Sequence, residues 1–168
     1  MVDGRVRWFV RCGGTGTPVI DSVGTVNLPR KTSLVCYLPL PDDSTYASPL
    51  VGWENNDSFG YINQLNAPAR WMVIVGTNDG IMAAYSVFDG ARLWSFRDAY
   101  EPNQSAVTTR RAIYFATEGG DLIALDYDGN LMWRESLTEL PVRGPALDAG
   151  GNLFVTVSNG NLVKVGAE

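Results

Sequence analysis

The chain has 168 residues, 45% of them hydrophobic and 18% charged, the composition of a folded domain with a core and not of a disordered chain. Eighteen acidic against thirteen basic residues give a net charge of -5. No run of Lys and Arg with interleaved aromatics breaks that balance, so nucleic acid is not an expected partner. Histidine is absent throughout, which removes the commonest general base, metal ligand and pH switch together and leaves the serines without a triad base.

The N-terminus, Met1-Val2-Asp3-Gly4-Arg5, lacks the apolar core of a signal peptide, and no run approaches the ~20 apolar residues of a membrane span. A soluble chain without membrane insertion is the expectation. Cys12 and Cys36 have neither metal-ligand nor redox spacing; they read as two separate buried thiols, with one structural disulfide as the alternative. Eighteen glycines and nine prolines, many in Asn-Gly, Asp-Gly and Gly-Gly pairs, predict many turns and many short strands. No helical periodicity of any length is present.

In chain order, Asp3-Gly4-Arg5-Val6-Arg7-Trp8 opens a pattern that returns as Asp89-Gly90-Ala91-Arg92-Leu93-Trp94 and as Asp128-Gly129-Asn130-Leu131-Met132-Trp133. Gly13-Gly14-Thr15-Gly16-Thr17 is followed by neither Gly-Lys-Ser/Thr nor a helical pattern, and reads as a connection, not a phosphate loop. The segment from Thr17 to Leu28 reads as strand, glycine turn, strand. Leu34 to Leu38 is strand-like, a Pro/Asp-rich loop follows, and Val51-Gly52-Trp53 closes a degenerate copy without an Asp-Gly turn. Glu54 to Gly60 is polar and turn-rich. Trp71 to Thr77 reads as a central strand, Asn78-Asp79-Gly80 as its turn and Ile81 to Tyr85 as the next strand. The same order returns at Ala112 to Thr117, Gly119-Gly120 and Asp121 to Leu125, where Asp128-Gly129 is a strong hairpin signal. It returns again from Asn152 to Val165 around Asn159-Gly160. The pair Arg110-Arg111 before a strand reads as a solvated turn, with an anion site as the alternative.

Trp8, Trp53, Trp94 and Trp133 are 45, 41 and 39 residues apart, the period of four-stranded propeller blades. One small four-stranded sheet cannot cover both of its faces, whereas sheets stacked radially bury each face on the next. The expected fold is all-β, a propeller of about four four-stranded blades in one domain. The units run over about 9–53, 54–94, 95–133 and 134–168 plus 1–8. Gly4, Gly90 and Gly129 mark the repeat turns, and the four tryptophans suit wedges between blades.

The unit seen best in Thr117 to Trp133, a strand, a Gly-Gly-Asp turn, Leu-x-Ala-Leu-Asp, x-Asp-Gly, three residues and Trp, resembles the PQQ-like (quinoprotein-like) β-propeller repeat. The resemblance covers 3–28 and 70–168 well and 29–69 poorly. It includes quinone-cofactor dehydrogenases, the lipoprotein propeller of the bacterial outer-membrane β-barrel assembly machinery, and sensor domains of bacterial signalling proteins. The catalytic branch implies seven or eight blades, calcium, an Asp base and a tryptophan under the quinone. Here about four units are present, and the compact acidic-amide group Glu54-Asn55-Asn56-Asp57 is contiguous on one loop, where hard cations need oxygens converging from several directions.

The reading is therefore a non-catalytic interaction or scaffold module without cofactor, with no catalytic or metal residues assigned. A piece of a quinone- and calcium-dependent dehydrogenase is the alternative and a ligand-sensing propeller the third reading. The expected partner is a protein, held by Trp53, Glu54, Asn55, Asn56, Asp57, Phe59, Tyr61 and Tyr100, because loops on rigid scaffolds carry recognition. Periplasmic or cell-envelope placement is implied by the resemblance alone. The register of the ends, with Met1 to Trp8 able to supply what is missing after Gly160, fits a four-bladed ring closed by its terminal strands. It also fits a homodimer forming an eight-bladed ring, or a segment of a larger propeller with exposed edges.

Overall fold

The computed structural model describes residues 16–38, 50–57, 60–66 and 70–166. Those residues form fifteen strands in four antiparallel sheets, each a meander whose neighbours follow chain order. The first sheet is β1 (Val19–Ile20), β2 (Val26–Arg30), β3 (Ser33–Tyr37) and β4 (Val51–Asn55). The second is β5 (Ile62–Asn66), β6 (Met72–Thr77), β7 (Ile81–Ser86) and β8 (Arg92–Arg97). The third is β9 (Pro102–Thr108), β10 (Ile113–Thr117), β11 (Asp121–Leu125) and β12 (Leu131–Ser136). The fourth has three strands among the described residues, β13 (Ala146–Leu147), β14 (Leu153–Thr156) and β15 (Leu162–Val165).

Period-two alternation decides how the sheets stack, because successive side chains of a strand leave on opposite faces. Val73, Val75, Ile81, Ala83 and Tyr85 of the second sheet pack with Leu34, Cys36 and Trp53 of the first. The intervening Met72, Ile74, Met82 and Ala84 pack with Ile113, Phe115, Ile123 and Leu125 of the third. On the third sheet's other face, Ala116 and Leu122 meet Leu153 and Val155 of the fourth. The middle sheets are thus buried on both faces, and β6 and β11 read as near-continuous apolar runs for that reason. Burying each large side chain of this kind contributes about 1.5–3 kcal/mol.

The outer strands β8 and β12 are mostly exposed, as the edge of a small sheet must be. Cys36 is a free, buried thiol whose pKa burial raises; Cys12 lies outside the described residues. Gly4, Trp8 and Phe59 lie outside them as well, as does any pairing of the two terminal segments.

The turns repeat one construction. Gly24, Gly129 and Gly151 adopt φ of 84°, 84° and 83° at the fourth position of Asp-x-x-Gly-(Asn/Thr), a left-handed conformation that costs glycine little. The carboxylate at the first position organises each turn. Asp126 accepts the N–H groups of Asp128 at 2.9 Å and Asn130 at 2.8 Å, and the Asn130 side-chain amide at 3.0 Å. Asp148 accepts the Asn152 N–H and side-chain amide, both at 2.8 Å. Asp21 accepts the N–H groups of Val23 and Thr25 at 3.0 Å, the Thr25 hydroxyl, and the Asn27 amide at 2.7 Å.

Candidate functional site

The Asp-Gly-x-x-x-Trp pattern has a structural explanation that spans two units. The Trp53 indole N–H donates to the Val87 carbonyl at 2.9 Å, and that of Trp94 to the Tyr127 carbonyl at 2.8 Å. Each tryptophan thereby docks on the β7–β8 or β11–β12 turn of the following sheet, against its glycine. A Cβ on Gly129 would stand 2.7 Å from Trp94 Cδ2, and one on Gly90 would overlap the Trp53 ring. In the second and third units a glycine receives the preceding tryptophan and, four residues later, the unit's own tryptophan follows. Trp133 lies against Tyr114 at 5.8 Å between ring centroids and borders a cleft of about 560 Å³ between the third and fourth sheets.

Trp53, which the sequence placed in the repeat and also in the partner-binding group, is 9% exposed at the interface of the first two sheets. It offers no free face to a partner, because the Gly90 turn of the next sheet covers it. The other loop residues disperse to separate tasks. Glu54 faces Arg30 at 3.4 Å, the Asn55 side chain donates to the Gly90 carbonyl at 2.7 Å and accepts from Asp57 N–H, and Asp57 faces Arg92 at 3.5 Å. Asn56 is exposed. These side chains diverge, and the loop does not assemble the converging oxygens that calcium takes. Among the described residues no group of three or more His, Cys, Asp or Glu is placed to hold a metal ion.

What the structure does bring together is one end of the sheets. Tyr61 lies on the β4–β5 connection, Tyr100 on β8–β9 and Leu140 on β12–β13; they are 55%, 54% and 54% exposed. The carbonyls of Tyr61, Glu101 and Leu140 accept the N–H groups of Asn78, Glu118 and Ser158 at 3.0, 2.9 and 2.9 Å, so three connections are pinned alike to the neighbouring turn. Leu140 was not singled out in the sequence; its correspondence with Tyr61 emerges from this pairing.

The end is acidic. Burial would raise the Asp79 carboxyl, but the Thr77 hydroxyl at 2.5 Å, the Gly60 N–H and the Arg97 guanidinium together hold it below the usual carboxylate range. Glu101 is pushed up by burial and by the neighbouring Glu118. The Tyr85 phenol, packed between the first two sheets, is raised chiefly by burial and also by Asp57.

The opposite end carries a feature absent from the repeat. Trp71, outside the Asp-Gly-x-x-x-Trp positions, has φ of 57° and stacks on Phe88 at 5.6 Å, the two rings being 55% and 67% exposed. Gly90 stands ten residues after Gly80, whereas Gly129 stands nine after Gly120. The longer turn carries Phe88 outward.

A family model described as outer membrane protein assembly factor BamB matches residues 57–168. The outer membrane protein assembly factor BamB of Nitrosomonas eutropha is 32% identical over an alignment covering 40% of this chain and 18% of that protein. The crystal structure of BamB from Moraxella catarrhalis superposes with a TM-score of 0.67 at 18% identity, over 89% of this chain and 43% of that one. The crystal structure of the computationally designed Ika4 protein superposes with a TM-score of 0.78 at 11% identity, over 98% of this chain and 99% of that one. The chain thus spans less than half the length of the BamB proteins it matches. With four stacked sheets joined through tryptophan and glycine, and a match reaching from residue 57 to 168, the chain belongs to the PQQ-like propeller family described as outer membrane protein assembly factor BamB.

Proposed function

We propose that the chain is a non-catalytic propeller module that holds a protein partner on the end of the sheets bearing Tyr61, Tyr100 and Leu140, and that the partner is a component of an outer membrane protein assembly machinery. The observation that carries this reading is that three successive connections are pinned alike to a neighbouring turn, through the carbonyls of Tyr61, Glu101 and Leu140, and that each exposes an apolar side chain there, Tyr61, Tyr100 or Leu140. Aromatic anchors on a preorganised frame supply contact area at low entropic cost. The carboxylates of Asp79, Glu101 and Glu118 at this end favour a partner surface carrying basic residues. The family match and the BamB relatives support the class of partner.

The test is binding of the purified chain to the purified components of that machinery. Tyr61→Ser with Tyr100→Ser is expected to lower affinity by roughly tenfold or more while the melting curve stays close to the parent, since loss of a single interface anchor costs more than 1–2 kcal/mol. Unchanged affinity in a folded double variant would move the partner off this end.

A further inference from the structure

We propose that the opposite end of the sheets is a second binding site, built from Arg70, Arg110, Arg111, Tyr127 and the Trp71–Phe88 stack, for an acidic protein segment that carries apolar side chains among its carboxylates. Charge supports this first. In a chain of net charge -5, Arg30, Arg92, Arg97 and Arg134 each face a carboxylate. Arg70, Arg110 and Arg111 are exposed, and among the described residues none of them has a carboxylate within ion-pair distance. The sequence gives little notice of this cluster, because Arg70 belongs to the β5–β6 loop and the other two to the β9–β10 loop of the next sheet.

The geometry is preset. The Arg70 guanidinium lies 4.4 Å over the Tyr127 ring and donates to the Arg110 carbonyl at 2.5 Å. The Tyr127 hydroxyl donates to the Thr109 carbonyl at 2.6 Å. Arg70 is thus held between two sheets with donors left over, the state in which a guanidinium takes a carboxylate by its fork at least entropic cost. Arg70, Thr108, Thr109, Arg110 and Tyr127 line an open cleft of about 460 Å³.

The aromatic stack begins at the next residue of the chain, at the same end of the sheets. Trp71 holds a left-handed backbone, which a bulky residue adopts only under strain. Its carbonyl accepts the Val87 N–H at 3.1 Å, which ties the β5–β6 loop to the turn that carries Phe88. A strained backbone that presents two rings to solvent suits an apolar anchor point next to cationic donors. Tryptophan, tyrosine and arginine are the residue types that dominate binding energy at protein interfaces. This site is at the far end of the sheets from Tyr61 and Tyr100, so its failure leaves the reading above intact, and the reverse holds too.

The experiment uses the full chain and a fluorescently labelled peptide in which glutamate alternates with leucine and phenylalanine, followed by anisotropy. A version with glutamine for every glutamate, a single-stranded oligonucleotide and polyphosphate serve as the other probes. Saturable binding of the glutamate peptide is expected, about tenfold tighter than its glutamine version and about tenfold weakened by Arg110→Gln with Arg111→Gln. Trp71→Gly, which relieves the backbone, is expected to keep or raise the melting temperature while weakening the peptide. The proposal is overturned if the two peptides bind alike, if the arginine or Trp71 variants bind as the parent does, or if only the oligonucleotide or polyphosphate binds.

Discussion

Asp126 and Asp148 spend their carboxylates on the same task, collecting the donors of a five-residue turn whose fourth residue is a left-handed glycine. Both carboxyls are held below the usual range, first by the side-chain amides of Asn130 and Asn152 and then by the backbone N–H groups of those residues. A pKa lower in the folded than in the unfolded chain adds stability above the unfolded value, about 4 for aspartate, and that stability drains as pH falls through the folded value. Thermal melts from neutrality down to about pH 3 should therefore show a steeper loss for the parent than for Asn130→Ala with Asn152→Ala, which lacks the largest cause of the shift. Equal slopes would mean that the turns gain nothing from these pairs. Residue chemistry of this kind was legible in the sequence, because the Asp, Gly and Asn that make the turn lie within five positions. Trp71 was not: a tryptophan at the head of an apolar run reads as the first residue of a strand, and nothing local reveals a left-handed backbone or the stack with Phe88.

At the scale of elements, the pattern that looked like one hairpin joins two sheets. The glycine of a unit serves the tryptophan before it, and its own tryptophan serves the unit after it. This explains why Trp53 is buried although its own copy lacks an Asp-Gly turn: the residue that decides its burial is Gly90, in the following unit. Period and spacing exposed the repeat, yet they could not say whether a tryptophan in a degenerate copy points into an interface or out to a partner. Trp94→Ala is expected to destabilise the fold by about 3–5 kcal/mol, the usual cost of deleting a large packed ring. The loss includes the bond to the Tyr127 carbonyl and the contact with the Gly129 turn. Denaturant unfolding followed by circular dichroism measures it, and a change below about 1 kcal/mol would contradict the docking role of that ring.

At the scale of the molecule, the sheets act as a frame whose two ends differ in what they expose. One end gathers Tyr61, Tyr100 and Leu140 among carboxylates; the other gathers Trp71, Phe88 and the arginines Arg70, Arg110 and Arg111, which have no ion pair among the described residues. The all-β blade architecture was legible because apolar alternation and turn chemistry are local. The grouping of surface residues was not, since each end draws its members from loops about forty residues apart. The loop Glu54 to Asp57 drew notice in the sequence for its density of polar groups, and in the fold those groups mostly serve neighbouring strands. The central claim, that the Tyr61 and Tyr100 end holds a protein partner from an outer membrane assembly machinery, is tested most directly by site-specific photo-crosslinking in cells. A crosslinker at position 61 or 100 should capture a component of that machinery, and one at the exposed Glu135 position of β12 should not. Capture from 135 alone, or from neither end position, would contradict it.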